Sequence, residues 1–343
     1  LERADLQFRS SLGREARVVN MAQLGHALVE LNQPPVRALV VYNSNPAAIA
    51  PQQQKVLEGL RREDLFTVVL EQFQTDTADY ADFILPVTTF LEHTDLYLAY
   101  GHYYLQLARP ALAPAGEAKS NLEIFRLLAR RMGFEDACFA DTEDEMIRCL
   151  LETNSPYLEG ITLERLERER SVRLNVSPAD EPFLPFAQGG FQTPSGRFEF
   201  GAESLRYTPP AESRFGDSQH ARRYPLELLS GKNDDSLNST FGHRDAVDEQ
   251  TSLLSMHPED ARTRGIVDGM LVRAVNDRGS CFFQVSVGSD VPPGVVRARS
   301  MRWNKRSISG LGINQLTSER LTDIGGGPTF YSCLVEVSAV SQT

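Results

Sequence analysis

Residues 39–51 read LVVYNSNPAAIAP. Leu39, Val40, Val41 and Tyr42 form an apolar run without alternation, the pattern of a strand in a parallel sheet buried on both faces. Asn43, Ser44, Asn45 and Pro46 then break it at once. In an open parallel sheet, ligands bind beyond the carboxyl ends of the strands. An amide–hydroxyl–amide triplet at such an end offers uncharged donors and acceptors. Two later strand ends carry similar clusters, Glu71 with Gln72 and Thr75, then Thr88 and Thr89. Thr75 can cap a helix whose free N–H groups would face the same crevice. Asn and Thr also end strands and cap helices where nothing binds. Their recurrence on successive strand ends is what argues for a binding edge.

Outward from this stretch, strand and helix alternate. VNMAQLGHALVEL sets Met21, Leu24, Leu28 and Leu31 on one helical face. QQKVLEGL reads as a short helix, and 65–71 and FILPV (83–87) as further buried strands. Ser120 with Glu123 and Thr142 with Glu145 are capping boxes, and Gly133 stops the helix between them. This order predicts a doubly wound α/β domain over 1–152. A connecting segment follows over 153–221, rich in charge, Pro, Gly and Ser, with FQTPSGRFEF as a hairpin around Pro194–Gly196. From 222 to 343 the texture is β. YPLELLS, MLVRAV, CFFQVSV, GVVRARS and FYSCLVEV are strands, with turns at NDRG and VPPG, and the short spacing suggests a closed barrel. HPEDARTRG is one short helix with Pro258 at its first position.

The chain has 343 residues, a formal charge of −11 and 41% hydrophobic residues. An acidic surface repels a phosphate backbone, so nucleic acid is not an expected partner. No apolar run approaches the length of a membrane span. LERADLQFRS is charged from its second residue and does not read as a signal peptide. Cys138, Cys149, Cys281 and Cys333 form no CxxC pair, so neither a zinc nor an iron–sulfur framework is encoded. Such thiols suggest a reducing, cytoplasmic compartment. The histidines lack metal-ligand spacing. No GxGxxG follows a strand, which argues against a nicotinamide Rossmann site, and no GxSxG marks a hydrolase.

A second candidate site is LLSGKNDDSLNSTFGHR, 228–244. A strand ends at Ser230, Gly231 permits close backbone approach, and Lys232 brings a positive charge. Asn233, Asp234, Asp235, Ser236, Asn238, Ser239 and Thr240 supply donors and acceptors. A carboxylate beside amides can read the N1–H and 2-amino edge of a guanine. A solvated loop would have the same composition. Asn314 lies between apolar neighbours and needs partners for its amide. Trp303, in RSMRWNKRS, fits a half-buried aromatic or a lid over a ligand.

Six segments in order carry a family resemblance: VVYNSNPA, VVLEQFQTDTADYADFILPVTTFLEHTD, APAGEAKSNLEIFRLLARRMG, TPSGRFEF, HPEDARTRGIVDGMLVRAVNDRG and GINQLT…GPTFYSCLVEV. Together they resemble the molybdopterin guanine dinucleotide oxidoreductases, which include dimethyl sulfoxide reductase, formate dehydrogenases and periplasmic nitrate reductase. The resemblance implies that the first half is the family's third domain and the last part its fourth, a double-psi β-barrel. It implies that Asn45, Glu71 and Asn121 contact the nucleotide of one cofactor, with His93 beside them; Thr75 joins this set from its place at the strand-end cluster. Residues Ser230 to Ser239 then wrap the other cofactor, and Asn314 and Tyr331 lie near a pterin. In this family the molybdenum or tungsten ligand and any iron–sulfur cluster come from upstream domains. The chain is therefore expected to be the C-terminal portion of such an enzyme. Its partners would be the N-terminal domains of the same polypeptide and an electron-transfer subunit. Alone it would be inactive, with its cofactor sites empty. A periplasmic address stays open, because an exported parent would carry its signal upstream of Leu1. The competing reading is a scaffold homologue without molybdenum, as the large iron–sulfur subunit of respiratory complex I is.

Overall fold

The computed structural model describes residues 16–178, 181–201 and 207–340. The LERADLQFRS stretch and the outer limits of the first and last expected domains lie outside them. The described residues fall into two units, one over 86–201 and the other joining 16–85 to 207–340. The sequence boundaries at 152 and 222 divide the chain differently.

The first sheet has the order β1 (Ala38–Tyr42), β2 (Phe66–Glu71) and β3 (Phe83–Pro86), with β1 and β2 parallel. Helices Leu24–Val29 and Gln53–Leu60 cover one side, where Leu28, Val56, Leu57 and Leu60 are buried with Leu39 against them. Burial on both faces is not what the structure has. Val40 is 51% and Tyr42 52% exposed. These side chains point opposite to Leu39 and Val41, as period-two alternation requires. An unalternating apolar run does not by itself disclose which face is covered.

The unit over 86–201 holds an antiparallel sheet of β4 (Asp95–Ala99), β5 (His102–Ala108) and β6 (Ser171–Arg173). Leu105, Leu107 and Val172 from the sheet pack with Ile147, Leu151, Leu163 and Leu166 from helices. Both capping sites form. Ser120 accepts from the Glu123 N–H at the start of helix Asn121–Met132, and Thr142 with Glu145 makes a full box before Glu143–Leu151. Part of the expected connection is ordered structure: Leu163–Glu169 is a helix and β6 follows it. Its charges lie outward while Leu163 and Leu166, three apart, are buried. TPSG is a turn without flanking strands, closed by Gly196 N–H to Thr193 O at 3.0 Å.

The barrel in 207–340 is closed, in the order β10-β8-β11-β7-β12-β9, from β7 (Leu226–Leu229), β8 (Leu253–Met256), β9 (Leu271–Asn276), β10 (Gly279–Val287), β11 (Val295–Ala298) and β12 (Leu334–Ala339). Alternate residues fill it: Leu226 and Leu228, Leu254 and Met256, Val272 and Ala274, Cys281, Phe283 and Val285. β8 is the barrel strand that sequence reasoning left unassigned; β4, β5 and β6 of the other unit were unassigned as well. β7 and β11 are parallel neighbours, and β8 runs antiparallel to β11. The chain therefore leaves β7 at Ser230 and β11 at Arg299 from the same end of the barrel, and enters β8 there.

Candidate functional site

Two polar exits meet at that barrel end. Ser300 N–H donates to Gly231 O at 2.7 Å and Asn233 N–H to Ser300 O at 2.6 Å, so the segments after β7 and β11 run side by side. Asn233 is buried. Its amide donates to Ser236 Oγ and Ser300 O, and its oxygen accepts from the Asp235 N–H. Ser230 is buried as well, and its carbonyl accepts from Ser300 Oγ at 3.0 Å. These two residues build the loop rather than line it. The loop shows outward Lys232, Asp234, Asp235, Leu237, Asn238 and Thr240, all exposed. Nothing stands within 4 Å of where a Cβ on Gly231 would sit. Asp235 is bonded to Gln250, and Asp234 pairs with Arg299 at 2.6 Å. Lys232 makes no ion pair among the described residues.

The carboxyl ends of β1 and β2 rest on the same rim. Asn45 is 1% exposed. Its oxygen accepts from Thr77 N–H at 3.0 Å and Thr77 Oγ1 at 2.8 Å, and its amide donates to Asp76 at 3.3 Å. Asp76 in turn accepts the backbone N–H groups of Asn304 and Lys305, each at 3.0 Å. Asn304 and Gln53 bond each other and both donate to Ala47 O. Asn314 donates to the carbonyls of Ala48 and Ile49 and accepts from Thr317 Oγ1. Asn45 and Asn314 therefore fasten the strand–helix segment to the barrel with fully committed amides. Thr75 is likewise buried, accepting from the Ala78 N–H.

Glu71 is the strand-end group left with capacity. Its side chain is half-buried, and its recorded bond is from the Gln72 N–H at 2.8 Å. Burial raises its carboxyl pKa, against that backbone bond, which lowers it. Two residues on, Phe73 meets the ring of His243 at 5.3 Å between centroids, and His243 meets Trp303 at 5.1 Å. Trp303 is 8% exposed and its indole N–H donates to Ser239 O at 2.9 Å. The end of β2, the loop after β7 and the segment after β11 thus share one aromatic cluster. His243 Nδ1 is buried there without a hydrogen-bond partner. Sequence reasoning missed Asp76, Thr77 and His243. The signal at hand was the run of small polar residues 75–77, read there only as a cap.

Not every expected site residue joins this rim. Tyr331 is 59% exposed. His93 and Asn121 belong to the other unit. There His93 Nδ1 lies 2.9 Å from Thr88 Oγ1, and Asn121 opens its helix behind the Ser120 cap.

Comparison with known proteins adds the following. Residues 5–131 match the family model described as "Molybdopterin oxidoreductase", and 226–334 match "Molydopterin dinucleotide binding domain". "Probable oxidoreductase YoaE" of Bacillus subtilis is 40% identical over 96% of this chain and 48% of its own length. "Dimethyl sulfoxide reductase DmsA" of Escherichia coli is 28% identical over 80% of this chain and 38% of its own. The solved structure of acetylene hydratase from Pelobacter acetylenicus superposes with a TM-score of 0.74 at 22% identity. It covers 95% of this chain and 47% of that one, a likeness of fold. The chain spans about half the length of the first curated relatives it matches. Among the described residues, no helix is long and apolar enough to cross a membrane.

Proposed function

The chain belongs to the molybdopterin oxidoreductase family, and on that premise we propose that it is the cofactor-closing, C-terminal portion of a bis-molybdopterin guanine dinucleotide enzyme. In this reading 1–152 is a doubly wound domain holding one dinucleotide, 222–343 a double-psi barrel holding the other, and 153–221 joins them. The metal ligand, any iron–sulfur cluster and the electron-transfer contacts come from sequence beyond this chain, whose relatives are about twice as long.

One observation carries the reading: the strand ends at 71–75 and the barrel exits at 230–243 and 299–304 form a single polar rim, joined through Phe73, His243 and Trp303. The residues suit a purine dinucleotide. Gly231 leaves open space over its backbone, and among the described residues Lys232 makes no ion pair and the buried His243 Nδ1 has no hydrogen-bond partner. Glu71 is a desolvated carboxyl with acceptor capacity to spare. When bound, the group would supply metal-centred two-electron chemistry tuned by its dithiolenes. This chain's own residues would bind and shield it. Lys232 would neutralise phosphate charge. Glu71 would accept N–H bonds from a guanine edge. Asn45 and Asn314 would hold the two halves of the rim in register, and the aromatic cluster would exclude water. His93, Asn121 and Tyr331 are also proposed as cofactor contacts.

The test is made in the full-length enzyme, with Lys232→Ala and Glu71→Gln combined. Guanine nucleotide released by acid should fall, with retention weakened about tenfold or more, since each lost charge-assisted bond contributes about 1.5–3 kcal/mol. Unchanged guanine content with intact pterin would count against this placement.

A further inference from the structure

Arg302 is a second cation on this rim that no carboxylate hydrogen-bonds among the described residues, although the charge of Asp248 acts on it. It is half-buried. Its one hydrogen bond among the described residues is Nη1 to Asp248 O at 3.5 Å, at the outer limit for such a bond. The neighbouring arginines are paired off. Arg299 bonds Asp234 at 2.6 Å, and Arg306 bonds Asp248 at 2.6 Å and Asp245 at 2.5 Å. Burial lowers the Arg302 pKa, with the charge of Asp248 opposing. The guanidinium still remains charged at neutral pH, because its ordinary value lies so high.

Beside it is a cavity of about 20 Å³ whose polar wall is Thr251, Arg299, Ser300, Arg302, Ser307 and Ser309, the rest of its lining being apolar or sulfur-bearing side chains and a glycine. That volume holds one water-sized group. No carboxylate lines it. Thr251, Ser300 and Ser307 spend their hydroxyl hydrogens on the carbonyls of Val247, Ser230 and Asn304. Among the described residues, the remaining side-chain donors are the Arg302 N–H groups, the Ser309 hydroxyl and the Arg299 N–H groups other than the Nη1 that bonds Asp234 and Gln250. A desolvated guanidinium with unused donors, facing a carboxylate-free cavity, is stabilised by an anion.

We propose that Arg302, with Ser309, holds a phosphate group whose oxygen enters this cavity. Two sources share that chemistry: free phosphate, and a phosphate of the guanine dinucleotide. The second rests on the functional reading above, and the anion site itself does not.

Trp303, the single tryptophan, adjoins Arg302 in the chain and reports on the site. The 343-residue chain is titrated with inorganic phosphate, GMP and guanosine while Trp303 fluorescence is followed. Phosphate and GMP should give saturable changes at millimolar concentration, and guanosine none. Arg302→Met should raise the phosphate Kd about tenfold or more. Arg302→Lys should recover part of the affinity, keeping the charge but losing the fork. Ser309→Ala, at an exposed position, should raise the Kd about fivefold. GMP binding tighter than phosphate would favour the dinucleotide source, and equal binding would assign the site to free phosphate. A wild-type chain indifferent to phosphate, or an Arg302→Met chain that responds as the wild type does, overturns the proposal. If Arg302→Met does not fold, Ser309→Ala decides: a weaker response upholds the site, and an unchanged one refutes it.

Discussion

Asn45 and Glu71 end adjacent parallel strands, yet they do opposite work. Asn45 has no unspent polar atom: Thr77 takes its oxygen and Asp76 its amide. Asn45→Ala strips two bonds from Thr77 and one from Asp76 at a fully buried site. Buried groups left unsatisfied cost about 1–3 kcal/mol each, so the chain should lose about 3 kcal/mol in denaturant unfolding. Glu71 instead carries a carboxyl that burial pushes above its ordinary value. A carboxyl raised in this way binds its proton more tightly in the folded state. Its stabilising contribution is complete below the unfolded pKa and is lost as pH rises through the folded value. At pH 7 the ionised group therefore costs stability. Glu71→Gln should melt higher than the wild type at pH 7, and the gap should narrow as pH falls through the raised folded value and be closed below about 4.3. A Glu71→Gln chain that melts lower at pH 7 would show that the carboxylate has a structural partner instead. On the proposed reading, the N–H donors of a bound ligand would offset that cost.

At the scale of elements, much was legible. The capping signals at Ser120 and Thr142 specified their helices, because a cap is a local bond between near neighbours in the chain. The barrel strands with clean alternation were found, such as β9, whose alternate residues are buried. β8 escaped because its four residues, LLSM, are too short to show a period. Helix Leu163–Glu169 escaped because two buried leucines among charges look like a solvated segment. Which face of the first sheet is covered depends on helices distant in sequence, and β1 alone could not disclose it. The two helices on the covered face fit closely: a Cβ on Gly59 would overlap the Leu28 side chain. Gly59→Ala gains helix propensity but forces the pair apart, and overpacking typically costs about 1–3 kcal/mol. Net destabilisation in urea unfolding is expected, and an unchanged or raised midpoint would mean the helices separate freely.

For the whole molecule, the sequence disclosed the polar ends of strands and loops but not which of them bear on one another. Asn314 shows why. Its apolar neighbours announced a buried amide in need of partners, without naming them. The bonds go to Ala48 and Ile49, more than 260 residues away. Asp76 makes the same kind of link, to Asn304 and Lys305. These long-range bonds weld the first sheet to the barrel and turn two polar edges into one rim, which a local pattern cannot encode. A family resemblance could name the cofactor, and only the assembled chain could show Asn45 as a fastener and Glu71 as the group with capacity to spare. Amide hydrogen exchange in the proposed full-length enzyme, compared with and without its dinucleotide, asks directly whether the rim acts as a unit. Segments 71–76 and 230–243 should gain protection together when the dinucleotide is present. Protection of one without the other, or of neither at equal pterin content, would contradict the account.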